Sequence, residues 1–428
     1  MKTVSFYTLG CRVNQYEIRA IREIFIKGGY SVLPFGKRAD VCVINTCAVT
    51  GESEKKSRHV INRASRFSDR VLVTGCFAKL IKDGENYPEN VVFCGGNIKK
   101  GEILNLVEGK DTGSFDQTIY EELSVGTATS LLKDQRYRAY VKIQDGCDGN
   151  CAYCIIPKLR GPSRIRNEEN IIEEVKRLAL SGVTEIILTG IEVSDYGTSN
   201  LCRLIKRVEE AEGIRRIRLG SINPNTLTDE FIQTVSESQK FCRHLHLSVQ
   251  SGCGRILNLM RRPYSAEKLQ KCIDKLYEVI PGMLLSADII SSFPTETEEE
   301  FNRTLEFIRK NRFMHIHAFS YSPRPLTEAA DLDGQIPEKI KKDRNLRVIA
   351  LSDECKEQVA EGFIGSAVEI LIEENKKGNT YGHTGEFMEA KIPGLFLNAG
   401  DYVNCIVTEY DKEEKTLVCK IQKYGEAE

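Results

Sequence analysis

The sequence predicts an α/β protein in three parts: an N-terminal parallel α/β sheet, a central partial (β/α)6 barrel and a small C-terminal all-β barrel. Three observations carry that expectation. Short apolar runs alternate with helical periodicities over residues 1–112, the pattern of a parallel sheet. The same rhythm resumes six times over residues 137–361, too few units for a complete eight-unit barrel. Over residues 362–426 the helical pattern gives way to short strands divided by glycines and charged turns.

In the first part, strands are expected near Val4–Leu9, Val41–Asn45, Val71–Thr74 and Val91–Phe93, with helices over Asn14–Lys27 and Glu52–Phe67. A cysteine stands just past three of these strands: Cys11, Cys47 and Cys76. Parallel sheets place ligands at the carboxyl ends of their strands. Three thiols delivered to one edge can therefore converge on one metal site. Cys42 and Cys94 lie within strands and read as core thiols. The helix from Glu52 carries Lys55, Arg58, His59 and Arg66 near one face. A phosphate-facing stripe and an ordinary solvated face both fit that run. Residues 113–136, rich in Ser, Thr, Gly and Asp, read as a linker.

In the central part, strands are expected near 138–144, 184–189, 215–219, 244–249, 284–290 and 315–321. Helices are expected near 168–181, 199–211, 227–238, 265–279, 297–311 and 337–360. Active sites on such barrels lie in the loops after the strands. The first of these loops contains Cys147, Cys151 and Cys154 in a C-x3-C-x2-C spacing. Three thiolates can hold three irons of a [4Fe–4S] cluster and leave the fourth open. The next cysteine is Cys202, too far on to close the cluster locally. An open metal position is what a catalytic site keeps. Zinc is the alternative metal for such thiols. Glu192 and Gln250 lie in later loops of the same series.

The last part contains AVEILIEE, YGHTGEFMEAKI, DYVNCIVTEYD and KTLVCKI, four strand-like runs. Composition is that of a globular chain, 41% hydrophobic and 28% charged over 428 residues. No apolar stretch approaches a membrane span, and the first residues lack the pattern of a secretory signal. The expected location is the cytoplasm, with no membrane partner. There, the 15 cysteines are reduced thiols or metal ligands rather than a disulfide framework. Net charge is −1, which excludes a uniformly basic nucleic-acid binder. Residues 1–110 nevertheless carry 18 Lys and Arg against 11 Asp and Glu, while residues 362–428 carry 7 against 12. A basic first part suits a polyanionic partner.

These motifs resemble a known family. The three-cysteine loop at the top of a six-unit barrel is similar to the radical S-adenosylmethionine (SAM) superfamily. TLGCRVNQYE, INTCAVTGESEKKSR and VTGCFAK resemble the N-terminal part of the methylthiotransferases. CAYCIIPKLRGPSR, LTGIEVSDYG and VQSGCGRILNLMRRPYS fit the same family, as does a TRAM-like terminal barrel. CRVNQYE and INTCAVT look like the branch acting on threonylcarbamoyladenosine in tRNA. The sequence departs from that branch at Ser292, Thr295 and Leu326, where glycine is usual, and at Glu192, Asn223 and Ser248.

The resemblance implies two [4Fe–4S] clusters and SAM as cofactors. Cys147, Cys151 and Cys154 would hold the cluster that binds and cleaves SAM. Cys11, Cys47 and Cys76 would hold an auxiliary cluster carrying sulfur, and Tyr153, Glu192 and Gln250 would contact SAM. The implied product is a methylthio group on carbon 2 of the base at position 37 of the anticodon loop. Lys55, Arg58, Arg160 and Arg164 are the candidate RNA contacts. The implied partners of the expected monomer are tRNA, an electron donor such as flavodoxin or ferredoxin, and a sulfur source. Isopentenyladenosine in tRNA and a ribosomal protein are alternative substrates within the family. A non-catalytic iron–sulfur RNA-binding protein is the alternative of another class.

Overall fold

The computed structural model describes residues 2–81, 86–94, 102–109 and 137–422. The expected linker, 113–136, lies outside the described residues. The first sheet is fully parallel. Its strands are β1 (Thr3–Thr8), β2 (Ser31–Leu33), β3 (Ala39–Thr46), β4 (Ser68–Gly75) and β5 (Val91–Phe93), in the order β2-β1-β3-β4-β5. Strand β2 is an addition to the expected set. It is three residues long, too short for a periodicity to register. Helices α1 (Arg12–Lys27) and α2 (Gly51–Ala64) cross over between strands, and α3 (Ile103–Val107) follows β5. Thr50 caps α2 through Ser53 N–H, and Glu52 and Glu54 in its first turn suit the helix dipole.

The second part contains the expected six units. Its strands are β6 (Arg138–Lys142), β9 (Glu185–Thr189), β10 (Arg216–Leu219), β12 (His244–Gln250), β13 (Leu284–Ser291) and β14 (His315–Ser320). Short segments β7 (Gln144–Asp145), β8 (Arg164–Ile165) and β11 (Ser221–Ile222) complete it. Strands β10, β9 and β6 form one parallel sheet, and β11 to β14 form another. Gly220 separates β10 from β11, so one strand passes from the first sheet to the second. Alternate residues face the helices: Val141, Ile186, Leu188, Ile217, Leu245, Leu247, Ala287 and Ile316 lie in one apolar core. The core helices are α5 (Glu168–Leu180), α6 (Thr198–Glu209), α7 (Asp229–Glu237), α9 (Ala266–Val279), α10 (Glu298–Asn311) and α11 (Glu338–Glu361). Two short helices were not expected, α4 (Ile156–Arg160) and α8 (Gly254–Leu259).

The last part closes into a five-stranded barrel, β15 (Ala367–Lys376), β16 (Asn379–His383), β17 (Glu389–Pro393), β18 (Tyr402–Asp411) and β19 (Thr416–Ile421). The run YGHTGEFMEAKI is thus two strands rather than one, divided at residues 384–388. This barrel docks at the starting ends of the central strands. Arg216 donates to the Glu369 carbonyl at 2.7 Å, and Arg138 pairs with Glu373 at 2.8 Å. Arg218 donates to the carbonyls of Gly385 and Thr384 at 2.9 Å. Phe387 stacks on His244, with ring centroids 5.3 Å apart. No helix among the described residues is long and apolar enough to cross a membrane.

The first and central parts are joined by a buried polar junction. Arg160, at the end of α4, is 1% exposed. It donates to Asp145 Oδ1 at 2.7 Å, Asn14 Oδ1 at 2.6 Å and both carboxylate oxygens of Glu17 at 3.2 and 3.3 Å. Lys142 lies 3.6 Å from Glu17 and 3.0 Å from Asp145. A second link runs from Tyr16 to Glu174 at 3.1 Å, with Arg166 bonded to both. Removing one partner leaves the others buried without compensation, which costs about 3–5 kcal/mol. Arg160→Met is therefore expected to lower stability by about 3–5 kcal/mol in denaturant unfolding. Arg164→Met, at a half-buried position, is expected to cost less than about 1 kcal/mol.

Candidate active site between two cysteine sets

Each of the first three cysteines stands where a parallel strand ends. Cys11 precedes α1, Cys47 follows β3, and Cys76 follows β4 and opens a short 3-10 turn. Local backbone brings them together. Gly10 has φ +95°, and a Cβ there would lie 2.8 Å from Cys47 Cβ and 2.9 Å from its Sγ. Only glycine lets the β1 turn approach Cys47 this closely. Gly75 has φ +92°, and a Cβ would meet Asn45 Oδ1 and the Thr46 carbonyl at 2.4 Å. Packing raises the pKa of Cys11 and Cys47; Cys76 acts in the same direction on both, and Arg160 acts against it.

The central three follow β7. Gly146 has φ +73°, and a Cβ there would collide with the Pro162 carbonyl oxygen at 2.0 Å. Gly149 N–H donates to Cys147 Sγ at 3.2 Å. Burial pushes the Cys147 thiol up to about 11 and the Cys154 thiol up to about 12, with neighbouring cysteines adding to both. Loading a metal cluster here displaces protons. Arg262, not assigned a role from the sequence, donates to Cys151 Sγ at 3.3 Å and to the Ser248 carbonyl at 2.8 Å. Its sequence signal is a basic pair before Pro263, inside the VQSGCGRILNLMRRPYS run.

One apolar cluster joins Cys76 of the first set to Cys147 and Cys154 of the second. Ile44, Ile61, Val73, Cys76 and Phe77 of the first part pack with Ile155 and with Ile156 and Leu159 of α4, and Cys147 and Cys154 border them. Neither set is drawn in around a single ion. Among the described residues, the ligand set whose donor atoms all lie within 4.8 Å of one another is His246, Asp288 and His317. Four thiolates on zinc stand about 3.8 Å apart, from Zn–S bonds of about 2.3 Å. Three-thiol sets of wider spacing suit a polynuclear cluster with one iron left open.

The loop residues surround Cys147–Cys154. Gln144 Oε1 accepts from the N–H groups of Ile191 and Glu192 at 2.9 Å, and Gln144 Nε2 donates to the Gly146 carbonyl at 2.8 Å. Glu192 is thereby held beside the cysteine loop, and its carboxylate accepts from Ser194 N–H at 3.3 Å. Tyr153 packs with Ala152, Met260 and Phe293, and burial holds its phenol well above the usual range. Gln250 ends β12 at φ +73°, a conformation L-residues rarely hold without a positional reason.

The departures from glycine keep a glycine-like backbone. Ser292, Thr295 and Leu326 have φ of +64°, +66° and +66°. Thr295 is fixed by its N–H to the Gly334 carbonyl at 2.9 Å and by Arg255 on its own carbonyl at 2.9 Å. Ser292 N–H donates to Glu296 Oε2 at 2.6 Å. Asn223 accepts from Asn225 N–H at 3.1 Å, and Ser248 donates to the Ile222 carbonyl at 3.2 Å.

One of the expected RNA contacts, Arg160, requires correction. Arg160 is buried in the junction and presents nothing to solvent. Arg164 donates to the carbonyls of Pro162 and Arg160 at 2.8 and 2.9 Å. Arg58 donates to Tyr87 Oη at 2.9 Å and to Glu54 at 3.1 Å, over the Phe77 ring. Of the run expected on one face of α2, Lys55, His59 and Arg66 are exposed. Cys42 and Cys94 are buried, as core thiols should be.

Comparison with known proteins places this architecture. Residues 141–308 match the Radical SAM superfamily, and residues 3–92 match Uncharacterized protein family UPF0004. The chain belongs to the radical SAM methylthiotransferases, which act with SAM and a [4Fe–4S] cluster. Within that class it is 37% identical to the threonylcarbamoyladenosine tRNA methylthiotransferase MtaB of Bacillus subtilis, over 92% of this chain and 91% of that one. It is 36% identical to the protein of the same name from Aquifex aeolicus, over 87% and 93%. It is also 33% identical to the tRNA-2-methylthio-N(6)-dimethylallyladenosine synthase of Aquifex aeolicus, over 88% and 89%. Among solved structures, the radical SAM methyltransferase TsrM of Kitasatospora setae shares the fold. Its TM-score is 0.55 at 16% identity, over 77% of each chain.

Two predictions follow from the Ser292–Glu296 loop. A β-branched residue in left-handed backbone is strained, so Thr295→Gly is expected to raise stability by about 1 kcal/mol, measured by denaturant unfolding. Burial raises the Glu296 carboxyl from 4.5 to about 7, against the Ser292 N–H and Arg344. A raised carboxyl favours folding in its protonated form. Stability is thus fully present below pH 4.5 and is lost as the pH rises to about 7. Unfolding of Glu296→Gln across that window is expected to lack a loss of about 3 kcal/mol seen in the parent.

Proposed function

We propose that the chain is a tRNA methylthiotransferase that modifies carbon 2 of threonylcarbamoyladenosine at position 37 of the anticodon loop. The observation carrying this reading is one apolar core in which Cys76 of the first set meets Cys147 and Cys154 of the second, each set lying at the carboxyl edge of a parallel sheet. Cys147, Cys151 and Cys154 would hold the SAM-binding [4Fe–4S] cluster, and Cys11, Cys47 and Cys76 a second. When bound, these groups supply a 5′-deoxyadenosyl radical for hydrogen abstraction and a sulfur for transfer.

The chain's own residues position and exclude. The Arg160 junction sets the distance between the cysteine sets. Gly149 N–H donates to the sulfur of Cys147, which favours its thiolate form, and Arg262 donates to the sulfur of Cys151. Tyr153, Glu192 and Gln250 are proposed to contact SAM. The apolar walls of Ile155, Ile156 and Phe77 keep water from a radical step. A target base must leave its stack to reach such a site, which suits an anticodon loop. Lys55, with His59 beside it, is the proposed phosphate contact on α2. A reduced flavodoxin or ferredoxin would deliver electrons, and an external donor would renew the sulfur. We also place the protein in the cytoplasm as a monomer. The choice of threonylcarbamoyladenosine rests on CRVNQYE and on the names of the 37% and 36% identical relatives.

Mass spectrometry of tRNA nucleosides from a deletion strain tests the substrate. Loss of the methylthio derivative of threonylcarbamoyladenosine is expected. Loss of the dimethylallyl counterpart instead would reassign the base, and an unchanged profile would refute tRNA as substrate. Iron analysis tests the cofactors. About eight irons per chain are expected from two clusters, with about four lost in Cys47→Ala and none in Cys42→Ala. About four irons in the unaltered protein would refute the second cluster.

A further inference from the structure

One wall of the central barrel carries a side-chain cluster that neither cysteine set explains. His246, Asp288 and His317 stand on the adjacent strands β12, β13 and β14. Their neighbours in sequence, Leu245, Leu247, Ala287, Ile289 and Ile316, point into the core beneath the helices. The three therefore face the lumen. Strand register aligns them, with His246 opposite Ser286 and Asp288 opposite His317. His246 Nε2 lies 3.1 Å from Asp288 Oδ1, and His317 Nδ1 lies 3.2 Å from the same oxygen.

We propose that His246 Nε2, His317 Nδ1 and the Asp288 carboxylate form a binding site for one divalent first-row transition-metal ion. Metal–ligand bonds of about 2.1 Å separate adjacent donor atoms by about 3.0 Å in an octahedron and about 3.4 Å in a tetrahedron. The observed 3.1 and 3.2 Å fall between those values. Two imidazoles and one carboxylate suit manganese, iron, cobalt or zinc.

A second observation is the support behind the cluster. Ser286 Oγ lies 2.8 Å from His246 Nδ1 and 2.9 Å from His244 Nε2. It holds the His246 ring with Nε2 turned to Asp288, as outer partners of metal-bound histidines do. Among the described residues, the ion-pair partners of Asp288 are these two imidazoles and no lysine or arginine. Three ligands from one wall leave the remaining coordination positions open to the lumen. The His317 side chain is 47% exposed, so water or an oxygen donor can reach them. Arg12 senses the Asp288 charge, and the His315 ring lies 4.8 Å from that of His317. The Arg12 charge opposes a second cation, so the probe is used in excess.

The site stands apart from the identity of the base modified. Its test uses full-length enzyme, reconstituted anaerobically, with its clusters in the oxidised, EPR-silent state. Mn2+ is the probe, because it prefers oxygen and imidazole to thiolate. One bound Mn2+ per chain is expected, with nitrogen modulation from imidazole in pulsed EPR. Affinity is expected to fall at least 10-fold in His246→Gln and His317→Gln, and about 10-fold in Ser286→Ala, with iron content unchanged. No bound Mn2+ in the unaltered enzyme, bound Mn2+ without nitrogen modulation, or equal affinity in the histidine variants would each overturn the site. Should the variants lose iron, the nitrogen modulation in the unaltered enzyme decides.

Discussion

The Arg160 guanidinium, buried against Glu17, Asp145 and Asn14, joins the first sheet to the central barrel. Its position in the chain explains its reach. Arg160 closes the helix that follows Cys154, and Asn14 and Glu17 lie in the first turns of the helix that follows Cys11. The pairing therefore ties together the two loops that carry thiols. Buried ion pairs recover little net stability after desolvation, but they penalise every other docking arrangement. An apolar contact such as Phe77 with Ile156 tolerates small slides. A guanidinium with four oxygen acceptors does not. The junction fixes distance and orientation, and the apolar cluster around Cys76 supplies the cohesion.

The Ser292–Glu296 loop shows a different kind of constraint. Glycine is the inexpensive residue for left-handed backbone, yet Ser292 and Thr295 adopt it with side chains in place. The surroundings over-determine the shape. Gly334 comes so close to Thr295 that a Cβ on it would stand 2.9 Å from the threonine methyl. Arg255, the Gly334 carbonyl and the Glu296 carboxylate supply the hydrogen bonds that keep the turn. Loop geometry at this edge of the barrel is thus set by neighbours more than by intrinsic preference.

Much of this could be read from sequence because it is local. Cys11, Cys47 and Cys76 each follow an apolar strand, and strand direction alone places them on one edge. The six β/α units were legible because Leu, Ile and Val recur at strand and helix periods. Arg160 was not, since LRGPSRIR reads as a basic surface run and its partner Glu17 is 143 residues away. The role of Arg262 was hidden in the same way, its partner Cys151 being 111 residues away. The HLHLSVQ run marks a strand, but its histidines gain meaning only when Asp288 and His317 are set beside them by strand order. The YGHTGEFMEAKI run lost its division because residues 384–388 mix turn and apolar residues, and Met388 is buried while its neighbours pack on the central barrel.

The placement of the C-terminal barrel gives the molecule a polarity. Phe387 and the carbonyls of Thr384 and Gly385 occupy the starting end of the central strands, against His244 and Arg218. The thiols stand beyond the opposite ends, about 20 Å away at about 3.3 Å per residue. The lumen therefore has a floor and a mouth, and the two cysteine sets stand at the mouth. A macromolecule gripped by the small barrel would touch the protein a full strand length from the thiols. The central strands then serve as a rigid spacer between a handle and a working end.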